Sequence, residues 1–378
     1  ATGKRVEETA ADGWKHSRWV SSRPLIVAGF NLGVYDSRTR RVGQTVVDVY
    51  ATRVAETLLE RRHAASQPHD EPLIRRMIDG RVELGILPKV VTPLNPTALL
   101  DSVAEAAADA IERFETLFGP FPYPQLSVSQ IPGQSGQGWP GLVYLPTLSF
   151  LTPSQRSQMG LGGKSAEIQA ELSLAHEIAH QWWGNHVGWA TYHDQWLSEG
   201  FSTCAAALCL PREKDGQQRR RDLLRTYKED LLGRNQDGKT IESGGPIWLG
   251  HRLSTSLNPD GYANIVYKKA CWVLHMLRRL MTDPQTGSDE RFMRMLRDFL
   301  ATYRDKEAST EDFIRHAEKY MTPAMDLEHN ARLDWFFADW VYGTGIPTYK
   351  LEVSIRRAAA KNYVIAGNIE PVSYTHLR

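Results

Sequence analysis

The stretch His176-Glu177-Ile178-Ala179-His180 constrains this chain more than any other sequence feature. On an α-helix, side chains four residues apart project from the same face, so the two imidazoles can reach one cation. Glu177 is rotated to one side of the pair and can approach a water on that cation. The alternative is a pair of hydrogen-bonded histidines on a half-buried helix, because this motif alone is only moderately specific.

A third ligand decides between these interpretations, because catalytic zinc usually has three protein ligands and one open position. His186 follows His180 by six residues. This spacing suits a third histidine ligand when a glycine three positions after the second histidine lets the chain turn back sharply. Here Trp183 occupies that position, and Gly184 comes one residue late. Glu199 lies beyond eighteen intervening residues on a second predicted helix, and a loop can return its carboxylate to the first helix. The sequence favours Glu199, and we interpret His186 as a surface or loop residue.

These motifs resemble those of a known family. HEIAHQWWGN, eighteen residues and then WLSEGF are similar to HExxHxWxGN and WLNEGFA of the aminopeptidase N family of gluzincin zinc metallopeptidases. The similarity extends through FGPFPYPQLSV, GPIWLGHRL, VYKKACWVLHMLR and LDWFFADWVYGTGIPTY, and Ser198 is a mild departure from the usual asparagine. The resemblance implies a thermolysin-like domain that binds one zinc ion per chain through His176, His180 and Glu199.

The resemblance also implies catalytic roles. Zinc lowers the pKa of a bound water to about 7, and Glu177 is expected to take its proton and deliver it to the departing amine. Tyr267 is expected to stabilise the oxyanion, although the family's lysine–glycine pair after this tyrosine is altered here. Without the resemblance, Tyr267 would be an ordinary aromatic residue at a helix start. Tyr262 matches a second tyrosine of some members and is a candidate substrate-binding residue.

The glycine-rich stretch SGQGWPGL departs most from the family pattern. The family carries GxMEN here, and its glutamate binds the free α-amine of the substrate. Gly138 stands in the place of that glutamate, and no carboxylate occurs between Gln125 and Ser165. We interpret the stretch as a flexible loop, and Gly138 and Trp139 remain candidate substrate-binding residues, because the backbone of such a loop can still pair with an extended peptide. Peptide hydrolysis is therefore favoured over aminopeptidase specificity, and the sequence does not decide between terminal and internal cleavage.

Hydrophobic patterns predict an α+β chain in three parts. Residues 1–96 are expected to be the end of an N-terminal β domain, including a strand-like SRPLIVAGFNLGVYD, followed by an irregular insertion. Residues 97–347 are the expected mainly helical zinc-peptidase domain with a small sheet. Residues 348–378 return to strand-like alternation, the start of a truncated β domain. Helical patterns in the second part run from residue 97 to Gly119 and over Ile265–Leu280, Glu290–Tyr303, Thr310–Met321 and Leu333–Tyr342.

Composition excludes several other classes of protein. The 45 basic and 44 acidic residues give a net charge of +1, so no nucleic-acid partner is expected. No apolar stretch approaches the roughly 18–20 residues that cross a bilayer. Three cysteines, without a CxxC pair, lie in apolar helical patterns and are interpreted as core residues. The chain begins without methionine and is interpreted as a fragment, so a signal peptide, the compartment and the oligomeric state stay open.

Two alternatives to a zinc peptidase are kept. One is a zinc hydrolase of a non-peptide substrate, because one branch of the resembled family opens a lipid epoxide with the same metal. The other is an inactive peptide-binding scaffold, which the missing GxMEN glutamate suggests. Against the scaffold, the general base and all three ligand positions are filled.

Overall fold

The computed structural model describes residues 1–25, 27–66, 73–78, 81–86, 94–133, 135–161, 164–210, 214–357 and 363–373. Helices and strands are both well represented, which confirms the predicted α+β class. The chain divides into two compact units, Ala1–His186 and Val187–Arg378. The domain boundaries predicted after residues 96 and 347 stay predictions.

The first unit is built around a five-stranded sheet. The strands of the whole unit are β1 (Lys4–Ala11), β2 (Trp14–Val20), β3 (Tyr35–Val42), β4 (Thr45–Thr52), β5 (Leu73–Ile78), β6 (Arg81–Ile86), β7 (Gln125–Ile131), β8 (Gln137–Trp139) and β9 (Leu142–Pro146). Its α-helices are α1 (Thr57–Ser66), α2 (Leu100–Phe118), α3 (Pro153–Gln158) and α4 (Lys164–Ala179), with a 3₁₀ turn at Thr147–Phe150. The sheet order is β3-β4-β7-β9-β8, and β1–β2 and β5–β6 form separate pairs. The short strand β8 pairs antiparallel with β9 and therefore forms an edge of the sheet.

The core of this unit follows from the periodicity of α2 and the alternation of β4. Ala107, Ile111 and Phe114 recur at helical spacing and are buried, and α2 packs on β3 and β4. Trp182, just after α4, contacts Phe114 edge-on with ring centroids 5.7 Å apart. Trp183 contacts Phe118 in the same way at 5.4 Å. These two tryptophans are core residues.

The second unit is mainly helical. Its elements are β10 (Val187–Trp189), α5 (Trp196–Cys209), α6 (Lys214–Leu232), a π-helical turn (Ala263–Lys269), α7 (Ala270–Leu280), α8 (Glu290–Thr302), β11 (Lys306–Ala308), α9 (Thr310–Glu318), α10 (Asp334–Trp340), β12 (Thr348–Arg357) and β13 (Tyr363–Ser373). Short 3₁₀ segments occur at Tyr192–Asp194, Ile241–Gly244, Ile247–Leu253 and Pro323–Met325. β10 pairs parallel with β11, and β12 pairs antiparallel with β13.

Buried Asp194 fixes the start of α5. Its carboxylate accepts hydrogen bonds from the backbone N–H groups of Thr191 at 3.0 Å and Thr310 at 2.7 Å. The two threonine hydroxyls donate to the same carboxylate, and the indole N–H of Trp196 donates to Thr310. A buried carboxylate with four donors is well compensated. The first turn of α5 is thereby tied to the first turn of α9.

Three local expectations differ from the structure. The described residues 27–34 of SRPLIVAGFNLGVYD do not form a strand, because side-chain contacts hold this segment: the amide of Asn31 donates to Ser129 and to the carbonyl of Gln130. Conversely, the glycine-rich stretch contains strand β8. The helix predicted from residue 97 begins at Leu100 after a turn.

Two further expectations concern the membrane and the cysteines. Among the described residues, no helix is both long and apolar enough to cross a membrane. The three cysteines, all in the described part of the chain, form no disulfide; Cys204 and Cys271 are buried, and Cys209 is half-buried.

Candidate metal centre

The two histidines converge at the end of α4. Their Nε2 atoms lie 3.0 Å apart, and the imidazole planes are perpendicular. Nitrogen ligands at the usual zinc distance of about 2.0–2.1 Å would be separated by about 3.3 Å in a tetrahedral site. The Nδ1 atom of His180 lies 2.9 Å from the carbonyl oxygen of Trp183. A proton on Nδ1 donated to this carbonyl leaves Nε2 unprotonated, the tautomer that binds a metal.

In the part of the chain that the structure describes, His176, His180 and Glu199 are the group of side chains able to hold a metal ion. Each offers one ligand atom, and these atoms lie within 4.8 Å of one another. Two imidazole nitrogens and one carboxylate oxygen match the ligand types of a catalytic zinc site. The residues present therefore fit this metal.

His186 has a different environment. Its Nδ1 atom lies 2.9 Å from Nη1 of Arg23, which donates a hydrogen bond to it. Gly184 has a φ of +106°, so the chain turns at this residue after the end of α4. His186 lies outside the ligand group, in agreement with its interpretation as a loop residue.

The side chain of Glu177 is buried against the glycine-rich segment. Only 8% of Glu177 is exposed. A Cβ atom placed on Gly136 would lie 2.6 Å from its Oε1 atom. A Cβ atom on Gly138 would lie 2.6 Å from the carbonyl oxygen of Glu177 and 2.7 Å from Cβ of His180. The two glycines thus allow this segment to lie directly on the histidine-bearing turn of α4.

Two side chains after α4 fix the position of β8 by hydrogen bonds. Gln181, fully buried, donates to the carbonyl of Trp139 at 2.9 Å and accepts from the N–H of Gly141 at 2.8 Å. Asn185 donates to the carbonyl of Gly138 at 2.9 Å. These hydrogen bonds therefore fix the position of the β8 backbone relative to the two histidines.

Glu199 lies in the first turn of α5, next to Gly200. A Cβ atom on Gly200 would lie 2.4 Å from Cβ of Ala270 and 3.1 Å from the carbonyl oxygen of Val266. This glycine lets α5 approach the π-helical turn and α7 closely. The approach brings Glu199 near the tyrosines of that turn.

Tyr262 and Tyr267 form a pair beside Glu199. Their ring centroids lie 5.6 Å apart in an edge-on arrangement. Burial is the main cause that raises the pKa of Tyr262 far above its ordinary value, and the negative charge of Glu199 adds to it. A hydrogen bond from Tyr267 acts in the opposite direction on that pKa. The phenol of Tyr262 thus lies within the electrostatic reach of a candidate metal ligand.

The model of the peptidase family M1 domain matches residues 104–340, more than half of the chain. The chain belongs to peptidase family M1. This match confirms the resemblance to the aminopeptidase N family.

Similar proteins agree with membership of family M1. Aminopeptidase O from Homo sapiens is 24% identical over 310 residues, which cover 76% of this chain and 35% of that protein. Glutamyl aminopeptidase from Sus scrofa is 27% identical over 234 residues, 61% of this chain and 22% of that protein. The chain therefore spans about a third or less of these relatives. The crystal structure of an M1 zinc metallopeptidase from Deinococcus radiodurans has a TM-score of 0.55 at 17% identity, covering 92% of this chain and 61% of that one.

Not every candidate residue from the sequence belongs to the candidate ligand group of His176, His180 and Glu199. Tyr267 and Tyr262 accompany Glu199, and Gly138 lies against α4. Successive strand residues point to opposite sides, so the side chain of Trp139 points away from the side of β8 that faces α4. Its role in substrate binding stays a prediction.

Sequence reasoning did not identify four residues that shape this site: Gly136, Gln181, Asn185 and Gly200. Gln181 and Asn185 belong to the quoted HEIAHQWWGN motif, and their position just after the second histidine was a usable signal. The glycines carried no such signal, because glycine-rich stretches usually indicate turns or loops.

Proposed function

We propose that this chain is a zinc-dependent peptidase that hydrolyses peptide bonds and holds one zinc ion per chain. His176 and His180 would bind it through Nε2 and Glu199 through its carboxylate. The observation that carries the proposal is the convergence of these three ligand side chains next to a buried glutamate. When bound, zinc supplies a Lewis acid for the scissile carbonyl and a water that ionises near neutral pH.

Glu177 serves as general base and then as general acid. Its carboxylate accepts the proton of the attacking water and delivers it to the nitrogen of the departing amine. Burial against Gly136 restricts the rotamers of this side chain and shields it from bulk water. A restricted carboxylate reduces the reorganisation needed at the moment of proton transfer.

Tyr267 donates a hydrogen bond to the oxygen that becomes negative when water attacks the carbonyl. A neutral phenol is suited to this role, because its proton is retained at working pH. The ring of the neighbouring Tyr262 lies edge-on to it and restricts its orientation; to reach the substrate oxygen, the hydroxyl of Tyr267 must turn from its hydrogen bond to Tyr262. We assign Tyr262 to the wall of the substrate site.

Gly138 distinguishes this site from a strict aminopeptidase site. Because no side chain is present there to bind an α-amine, we propose that hydrolysis does not require a free substrate N-terminus. As an edge strand of its sheet, β8 would lie beside an extended peptide, as in strand-addition binding. The named relatives are aminopeptidases, and a mutant of the Deinococcus radiodurans enzyme was crystallised with a Tyr-Ser-Ala substrate, which supports a peptide as the substrate class.

The test compares the wild-type chain with Glu177→Gln, using Glu112→Gln on the exposed face of α2 as the matched control. Wild type and both variants should each bind one zinc by metal analysis. Hydrolysis by Glu177→Gln should fall about 10³-fold, while Glu112→Gln keeps wild-type rates. Chelation should abolish activity, and added zinc should restore it. Unchanged hydrolysis by zinc-loaded Glu177→Gln would refute the assigned role.

The same preparations should be offered peptides with free and with acetylated N-termini. Comparable kcat/KM values for the two series are expected from the absence of a carboxylate at residue 138. Cleavage confined to free N-termini would contradict the proposed specificity and leave the hydrolytic mechanism intact.

A further inference from the structure

The π-helical turn at Ala263–Lys269 determines how the two tyrosines meet. In an α-helix, residues four apart lie above one another, whereas the i→i+5 bonding of a π-helix does this for residues five apart. Tyr262 and Tyr267 are five residues apart and contact each other across this turn. A regular α-helix would direct them to different faces. The local widening is therefore what sets Tyr267 beside Tyr262, the residue that feels the charge of Glu199.

A buried ion pair holds the last residue of this turn. Nζ of Lys269 donates to Oε1 of Glu242 at 2.7 Å and to the carbonyl of Gly343 at 3.1 Å. Both charged side chains are only 3% exposed. The two carboxylate oxygens of Glu242 also accept from the N–H of Gly345 at 2.8 and 3.0 Å. The pair thus joins the turn to two other chain segments through directional bonds.

Burial of two opposite charges adds little net stability, because desolvation offsets their attraction and apolar residues of similar volume often serve as well. Directional geometry is what such a pair adds. π-helical turns are rare and occur frequently at functional sites. A rare local conformation persists where its surroundings fix it.

The neighbouring pair between Lys268 and Asp230 offers a contrast on the same turn. Its Nζ–Oδ2 distance is also 2.7 Å, but its side chains are 28% and 38% exposed. We propose that Glu242 and Lys269 are positioning residues that keep the turn π-helical and so hold Tyr267 in place for catalysis. This inference rests on the proposed peptidase function.

The first experiment measures kcat, KM and zinc content for the paired variant Lys269→Met/Glu242→Gln, which avoids leaving one buried charge alone. We expect kcat to fall at least about tenfold, less than the 10²–10³-fold loss typical when an oxyanion donor is removed, with KM and zinc content unchanged. The control Lys268→Met/Asp230→Asn should keep wild-type kcat. An equal fall in the control would overturn the proposal. If the paired variant does not fold, Lys269→Arg, which keeps the charge but alters the donor geometry, takes its place with the same criteria.

A double-mutant comparison separates positioning from general destabilisation. In a Tyr267→Phe background the paired substitution should cause no further loss of kcat, because the group it positions is already absent. A full additional loss in that background would show that the ion pair acts elsewhere and would overturn the inference.

A third readout does not depend on hydrolysis. With 3-fluorotyrosine at position 267, the ¹⁹F resonance should shift in the paired variant and stay in place in the Lys268→Met/Asp230→Asn control. An unshifted resonance in the paired variant would overturn the positioning role, even if the wild-type chain cleaved no peptide. A wild-type chain without hydrolysis that shows the expected shift would refute the peptidase function alone.

Discussion

The helix with the two histidines and the helix with Glu199 are packed against their neighbours by different means. Helix α4 is covered by the backbone of β8. A Cβ atom placed on Gly138 would lie 2.6 Å from the carbonyl oxygen of Glu177. Helix α5 is covered by another helix, and the notional Cβ of Gly200 lies 2.4 Å from Cβ of Ala270. Neither glycine has a left-handed φ, so both are needed for space rather than for backbone conformation.

The remaining contacts show why this difference matters. On α4, the amides of Gln181 and Asn185 bond to the backbone of β8, so hydrogen-bond direction sets the register. On α5, the thiols of Cys204 and Cys271 are buried in contact with each other, so that surface is set largely by side-chain volume. A change of volume on α5 can be compensated by trimming the facing side chain. At Gly138 the nearest obstacle is a backbone oxygen, which no substitution removes, and the next is the side chain of His180, a candidate metal ligand.

The largest effect is expected when the family's glutamate is restored by Gly138→Glu. The new Cβ would collide with a backbone oxygen and with His180, so β8 must leave α4 or the histidine must move. We expect a loss of about 3 kcal/mol in the free energy of unfolding and weaker zinc binding, without any preference for free N-termini. Chemical denaturation, zinc titration and peptide profiling measure these quantities.

The control for this substitution is Gly188→Ala, whose Cβ would have 3.4 Å to its nearest neighbour. It should retain wild-type stability. A stable Gly138→Glu protein with faster cleavage of free N-termini would show that β8 tolerates a side chain, and the polar, directional account of α4 would then be wrong.

The next effect concerns α5 and tests compensation directly. Gly200→Ala should lower the free energy of unfolding by about 2 kcal/mol through overpacking, and Ala270→Gly should restore at least half of that loss. A double-mutant cycle on thermal or urea unfolding measures the coupling. Strictly additive effects would mean that the contact with Ala270 does not limit the approach of α5.

The identities of the candidate ligands could be predicted from the sequence because they depend on spacing alone. His176 and His180 share a helical face, and Glu199 follows at the motif distance, so the ligand group needs no knowledge of distant contacts. Helix α2 was likewise visible in apolar periodicity. These features are local or rest on hydrophobic patterns that survive in any packing.

The features that the sequence did not predict depend on one extra residue in a helical turn or on close contacts between distant parts of the chain. Strand β8 has three residues, one of them Gly138, and lacks the β-branched pattern that marks strands. The π-helical turn that ends at Lys269 has one more residue per hydrogen-bonded turn than an α-helix. The pattern of apolar residues does not reveal this extra residue. The segment before Tyr35 is apolar and alternating, yet side-chain contacts hold its described part outside the sheet. In each case tertiary contacts override a weak local preference.

The smallest effect separates the two glycines of the same segment. A Cβ at Gly136 would lie 2.6 Å from Oε1 and 2.9 Å from Cδ of Glu177, atoms at the end of a flexible side chain. Gly136→Ala should therefore leave the free energy of unfolding within about 0.5 kcal/mol of wild type and leave zinc content unchanged. Because the displaced carboxylate is the proposed base, kcat should fall about tenfold, short of the 10²-fold loss from a 1 Å misplacement. Steady-state kinetics and a denaturation curve measure the two quantities. An unchanged kcat would show that Gly136 does not affect the position of the base. A loss of stability would mean that both glycines serve the same backbone contact.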